Sequence, residues 1–206
     1  MKNFLVVIIL LIAACGIYSI YNSESSLPKE VITLDHSTED KLAAHVKEVQ
    51  LFISKNPKYN DAIAFFIDMK IHSGKNRFFI YDLKKNEVID QGLVAHGSGS
   101  ETGIVGELKF SNANNSLSTS LGKYCIGTSY IGRFGKAYKL YGLDTTNSNA
   151  FERNIVLHKY SKVPYDEQED AICNSLGCPM VHERFFERIE KIVDNSGKNI
   201  LLEIYY

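Results

Sequence analysis

The stretch "RFFIYDLKKNEVIDQGLVA", residues 77–95, decides the fold class. Two runs of aromatic and β-branched residues flank the polar segment KKNE, which is the pattern of two strands joined by a short turn. "AIAFFIDM" (62–69) lies just upstream and has the same character. Downstream, "GKYCIGTSY" (122–130), "KAYKLYGL" (136–143), "RNIVLHKY" (153–160) and "NILLEIYY" (199–206) extend the series. Helical spacing occurs twice. In "STEDKLAAHVKEVQLFISKN" (37–56), Leu42, Val46, Val49 and Ile53 form one apolar stripe, with Ser37 and Asp40 placed as a capping box and His45 off the stripe, facing solvent. In "PMVHERFFERIEKIVDN" (179–195), Val181, Phe185, Ile189 and Ile192 share a face. Five or more short strands and two helices predict a mainly β domain with flanking helices, a sandwich or a barrel-like sheet.

The chain of 206 residues is long enough for one well-buried domain with an appendage. Its net charge of −1 offers no basic excess to neutralise phosphates, so nucleic-acid binding has no electrostatic support. "SNANNSLSTS" (111–120) reads as a surface loop. The appendage is N-terminal. "MKNFLVVIILLIAACG" has one lysine, an apolar run and small residues, which is the layout of a signal segment over residues 1–14. Ile12-Ala13-Ala14-Cys15 resembles a bacterial lipobox with Cys15 as the lipidated residue; an uncleaved anchor is the alternative. Residues 15–36 then read as a polar tether and 37–206 as the globular domain. A membrane-tethered location outside the cytoplasm, in the cell envelope, is the expectation.

With Cys15 set aside, three cysteines remain: Cys125, Cys173 and Cys178. An odd number in an exported protein leaves one thiol unpaired, and a Cys125–Cys173 bridge is the pairing that leaves Cys178 free. A zinc site from Cys173, Cys178, His158 and His182 lacks a second cysteine pair. "HERFF" (182–186) has no second histidine for a zinc-protease motif, and the glycine-rich "HGSGSETG" (96–103) fits neither nucleotide-binding pattern. No metal or cofactor is expected.

Cys178 sits in "ICNSLGCPMV" (172–181), between Gly177 and Pro179. Proline is favoured at the first position of a helix, so Cys178 is expected at a helix N-cap, where the macrodipole stabilises a thiolate. The Gly177 and Cys178 amides are candidate oxyanion donors. A base must lie within reach, and spacing leaves two candidates open: His182, four residues on, and His158, at the end of an apolar run.

The segments "RNIVLHKY" and "ICNSLGCPMV" resemble the catalytic signature of the YkuD-type L,D-transpeptidases, in which a strand-end histidine precedes a Ser-x-Gly-Cys motif. Here these are His158 and Ser175-Leu176-Gly177-Cys178, followed by Pro179. The likeness extends over roughly residues 45–190 through "SLGKY", "LYGLD" and "FIYDLKKNEVIDQGLVAHGSGS". It implies a single YkuD-like β-sandwich domain whose Cys178 attacks peptidoglycan stem tetrapeptides and releases terminal D-alanine; a monomer is the separate expectation. His158 would serve as base, and Ser175 and Gly177 would support the site. Three positions depart from the pattern: Lys159 where glycine usually follows the histidine, Leu176 where histidine or tryptophan is usual, and Asn174 where arginine is frequent.

Overall fold

The computed structural model describes residues 32–206, of which Leu34–Tyr206 form one compact unit. The signal segment 1–14, Cys15 and most of the 15–36 tether lie outside the described residues. No helix among the described residues is long and apolar enough to cross a membrane.

The chain enters through helix α1 (His36–Lys55) and continues through β1 (Tyr59–Asp68), β2 (Phe78–Asp82), β3 (Glu87–Gly92) and β4 (Val94–Ala95). After a 3-10 turn at Ser98–Ser100 come β5 (Gly122–Gly132), β6 (Gly135–Gly142), β7 (Val156–Lys159), β8 (Met180–Val181), helix α2 (Glu183–Asp194) and β9 (Asn199–Tyr205). The described strands form one hydrogen-bonded series, β3-β2-β1-β9-β5-β6-β7-β8-β4. Only β1–β9 and β7–β8 are parallel. β3 and β4 stand at opposite ends of this order, yet only Leu93 separates them in sequence, so the sheet must curl until its ends approach. The result is mainly β with two flanking helices in a single domain, as the sequence implies.

Strand alternation sorts the core. On β1, β2 and β9, Ala64, Phe66, Phe79, Tyr81, Leu201 and Tyr205 face α1, where Leu42, Val46, Val49 and Ile53 cover them. Their neighbours Phe65, Ile67, Phe78, Ile80, Leu202 and Ile204 face inward with Phe185, Phe186 and Ile189 of α2. Both faces of these central strands are buried, which explains their near-continuous apolar runs. Each side chain of this size contributes roughly 1.5–3 kcal/mol on burial, so neither helix is dispensable.

Local signals misplace three features. The α1 cap is Asp35, whose carboxylate accepts from the Thr38 N–H at 3.0 Å and the Thr38 hydroxyl at 2.6 Å; Ser37 and Asp40 lie inside the helix. His45 does not face solvent freely but stacks on Tyr205, with ring centroids 3.8 Å apart. The later helix starts at Glu183, not Pro179, and its cap is His182, which accepts from the Arg184 N–H. Met180 and Val181 are held as a strand between β7 and β4, and that pairing outweighs the helix signal of Pro179. The three described cysteines are free, with Cys125 against the α1-side core and Cys173 in a separate cluster beside Leu93 and Val163.

Candidate active site

His158 and Cys178 converge because β7 runs parallel to β8. His158 pairs with Met180, and its N–H donates to the Pro179 carbonyl at 3.3 Å. Both side chains line one cavity of about 380 Å³, together with Tyr130, Phe134, Tyr160 and Leu176. His182, the other candidate base, is engaged at the helix cap and packs against Tyr165.

Among the described residues the buried His158 ring makes one hydrogen bond, from Nδ1 to the Lys159 carbonyl at 3.0 Å. A carbonyl only accepts, so Nδ1 carries the hydrogen and Nε2 keeps a lone pair. Burial pulls the His158 pKa below the ordinary histidine value, although the Lys159 carbonyl opposes this. The imidazole is therefore neutral near pH 7. Phe134, at the tip of the β5–β6 hairpin, stacks on it with centroids 5.2 Å apart and planes 15° from parallel. That aromatic wall fixes the ring orientation and helps keep it dry.

Cys178 lies on the loop entering β8, so no helix macrodipole acts on it. Burial pushes its thiol pKa up; the Val156 N–H and the Arg153 guanidinium oppose the shift without reversing it. The resting group is a thiol, directed to the Asn154 carbonyl at 3.7 Å. A thiol in this state could act as a nucleophile only with a base to take its proton at the moment of attack.

Glycines let the surrounding loops clasp this corner. Gly177 has φ of +120°, and a Cβ there would lie 3.1 Å from both Ile155 Cδ1 and the Ser118 carbonyl. A Cβ on Gly97 would collide with the Leu117 carbonyl and come within 2.8 Å of Gly177 Cα. Buried Ser175 is tied to the same loop, its N–H donating to the His96 carbonyl at 2.8 Å and its carbonyl accepting from Ser98 at 2.8 Å. Its hydroxyl accepts from the Gly177 N–H at 3.1 Å. The Gly177 amide is thus already engaged, leaving Cys178 as the remaining backbone donor of the pair considered from the sequence.

A family model of the L,D-transpeptidase catalytic domain matches residues 35–202. The chain belongs to that family. No curated protein sequence matches it. Among solved structures, an L,D-transpeptidase from Xylanimonas cellulosilytica is 14% identical, with 71% of this chain and 61% of that one covered at a TM-score of 0.39. Pgp2, the helical cell shape determining protein of Campylobacter jejuni, is 13% identical over 71% and 48%, with a TM-score of 0.47. L,D-transpeptidase 1 of Mycobacterium tuberculosis is 11% identical over 71% and 63%, with a TM-score of 0.38. The chain spans about half to three-fifths of the length of these proteins.

The departures from the L,D-transpeptidase pattern have structural accounts. Lys159 is an ordinary strand residue and is absent from the positive-φ positions, so its backbone does not require glycine. Its side chain lies against the hairpin turn, with Cε 3.3 Å from where a Gly135 Cβ would stand. Asn174 donates to Glu101 Oε1 at 3.1 Å, the oxygen that also meets His96 Nε2 at 2.7 Å. Leu176 is exposed and lines both the Cys178 cavity and a second, polar one of about 340 Å³ beside Asn114, Arg153 and Asn154.

Sequence reading passes over Arg153, although it opens the "RNIVLHKY" segment. Its guanidinium donates to the Ser118 carbonyl at 2.5 Å, the Ser111 carbonyl at 2.9 Å and the Ser116 and Ser120 hydroxyls at 3.2 and 3.1 Å. The 111–120 segment is therefore no plain surface loop: Ser118, Thr119 and Ser120 are buried, and Arg153 holds them beside Cys178. Phe134 is missed for another reason, since nothing local to a hairpin turn reveals which ring it will cover.

Proposed function

We propose that this domain is a cysteine acyl-transferase of peptidoglycan, an L,D-transpeptidase acting on stem tetrapeptides. One observation carries the reading: a neutral His158 with an available Nε2 lone pair shares a cavity with a protonated, half-buried Cys178. His158 Nε2 takes the thiol proton as Sγ attacks the carbonyl before the terminal D-alanine. The Cys178 amide donates to the oxyanion as the tetrahedral intermediate forms. Collapse breaks the amide bond, and D-alanine leaves with the proton returned by His158. A side-chain amine of a neighbouring stem, deprotonated by the same imidazole, then attacks the thioester and releases Cys178. Ser175 and Gly177 hold the loop in place throughout. The cysteine, the imidazole and the backbone supply this chemistry, and the reading calls for no cofactor.

The proposal includes location. A signal segment over 1–14 and lipidation at Cys15 would hold the monomeric domain in the cell envelope, beside its substrate. Purified protein incubated with tetrapeptide muropeptides tests the reaction by mass spectrometry. Loss of one alanine with a new dimer, absent in Cys178→Ala, supports transpeptidation. Loss without a dimer points to an L,D-carboxypeptidase. Binding to sacculi with neither product nor acyl adduct would leave a non-catalytic peptidoglycan-binding lipoprotein.

A further inference from the structure

On the face of the sheet opposite the cavity side, α1 and β9 bring together a second set of chemistry-bearing side chains. His45 and Glu48 stand three residues apart on α1, a spacing that places both on one helix face. Glu203 rises from β9 between Leu201 and Tyr205, the two residues that meet α1. One donor atom from each of His45, Glu48 and Glu203 lies within 4.8 Å of the others. Glu203 is 5% exposed, and its Oε1 is 3.2 Å from His45 Nδ1. Its other oxygen, Oε2, is buried with no hydrogen-bond partner among the described residues, and neither has the neighbouring Tyr205 hydroxyl.

A buried carboxylate with an unpaired oxygen is costly, and its charge calls for a cation. Lys41 does not supply one, because its Nζ is 3.0 Å from Asp68 and lies over the Tyr205 ring. We propose that His45, Glu48 and Glu203 form a divalent-cation site of the zinc class that clips α1 to β9. The His45–Glu203 separation is close to the ligand–ligand edge of about 3.3 Å in a tetrahedron with metal–ligand bonds of about 2.0–2.1 Å. The cation takes the place of the proton between Nδ1 and Oε1, and that proton goes to solvent. Glu48 is exposed and closes the remaining distance by rotation, with water filling the fourth position. One nitrogen and two carboxylates suit zinc or another late first-row ion, whereas magnesium and calcium favour all-oxygen shells. Tyr205, stacked on the imidazole, holds the ring in register.

The test is zinc titration of the full chain after chelator treatment, in a Cys178→Ala background that removes the competing thiol–imidazole pair. One equivalent of zinc is expected to bind and to raise Tm by several degrees, with no comparable response to magnesium. Glu48→Gln, a substitution on the exposed helix face, is expected to weaken zinc at least tenfold, and His45→Ala further. Cobalt in place of zinc is expected to show visible bands without an intense thiolate charge-transfer band. Absence of stoichiometric zinc binding, or binding unchanged in Glu48→Gln and His45→Ala, overturns the site. Muropeptide turnover by the wild-type chain is a separate readout, so failure here leaves the acyl-transfer reading standing.

Discussion

The domain buries two histidines near its Ser-x-Gly-Cys loop and gives them opposite wiring. In both, burial pulls the pKa below the ordinary value. His96 has both nitrogens engaged: Arg77 Nη2 donates to Nδ1 at 2.9 Å, so Nε2 carries the hydrogen and donates to Glu101 at 2.7 Å. Burial lowers Arg77 only to about 10, so it stays cationic near pH 7. Burial works against ionised Glu101, but the bonds from His96 and Asn174 hold its pKa below the usual range. His158 lines the cavity with one nitrogen bonded and no partner for the other among the described residues. Burial alone does not make a base. A free lone pair does.

The largest effects belong to the His158 side. Cys178→Ala is expected to abolish acyl transfer, a loss of at least about 1,000-fold, while His158→Gln lowers kcat by roughly 100- to 10,000-fold. His96→Gln is expected to cost less than tenfold in kcat but to lower Tm, because it breaks the Arg77–His96–Glu101 chain under the Ser175 loop. Turnover assays with thermal melts on the three variants check this. Equal loss of kcat in His96→Gln and His158→Gln would break the contrast.

Next comes Arg153, whose fixed charge faces Cys178 while its donors brace the 111–120 loop. Arg153→Met should lower kcat/KM about 10- to 100-fold, with Arg153→Lys between it and wild type, since lysine keeps the charge but not the four-donor geometry. Phe134→Ala should follow at about tenfold, and its low-pH limb should move toward the ordinary histidine value as the ring becomes wetter. The full pH profile of kcat/KM locates that limb. In wild type it should fall below about pH 6.5, because the depressed His158 pKa keeps the base neutral further into acid.

The smallest effect is on stability. Both histidines bind a proton less readily folded than unfolded, so the unfolded chain takes up protons first as pH falls. Stability should therefore be full above about pH 6.5 and decline below it, toward and past the depressed folded values. Denaturant melts between pH 8 and 5 should show a shallower decline in the His96→Gln, His158→Gln double variant. An unchanged slope would mean that other groups, Glu101 among them, dominate the acid response.

The strands of 62–95, 122–143, 153–160 and 199–206 are legible locally, because aromatic and β-branched side chains with turn residues between them have few other uses. The stripe Leu42, Val46, Val49 and Ile53 is legible for the same reason. Composition and spacing also single out Cys178 as a candidate nucleophile, and the family resemblance separates His158 from His182. Helix α2 shows where local signals stop: Pro179 favours a helix start, but Met180 and Val181 gain two strand partners that no nearby residue announces. That pairing removes the macrodipole from Cys178, so the proposed activation falls to a neutral imidazole. Arg153 beside Cys178, Phe134 over His158 and Glu203 beneath His45 all depend on contacts between segments distant in the chain. Sequence by itself determined most of the elements and the candidate reactive groups, since both follow from side-chain chemistry and short-range periodicity. Only the tertiary structure decided which lone pair stays free and which charge is left buried, because those depend on partners brought in by sheet pairing.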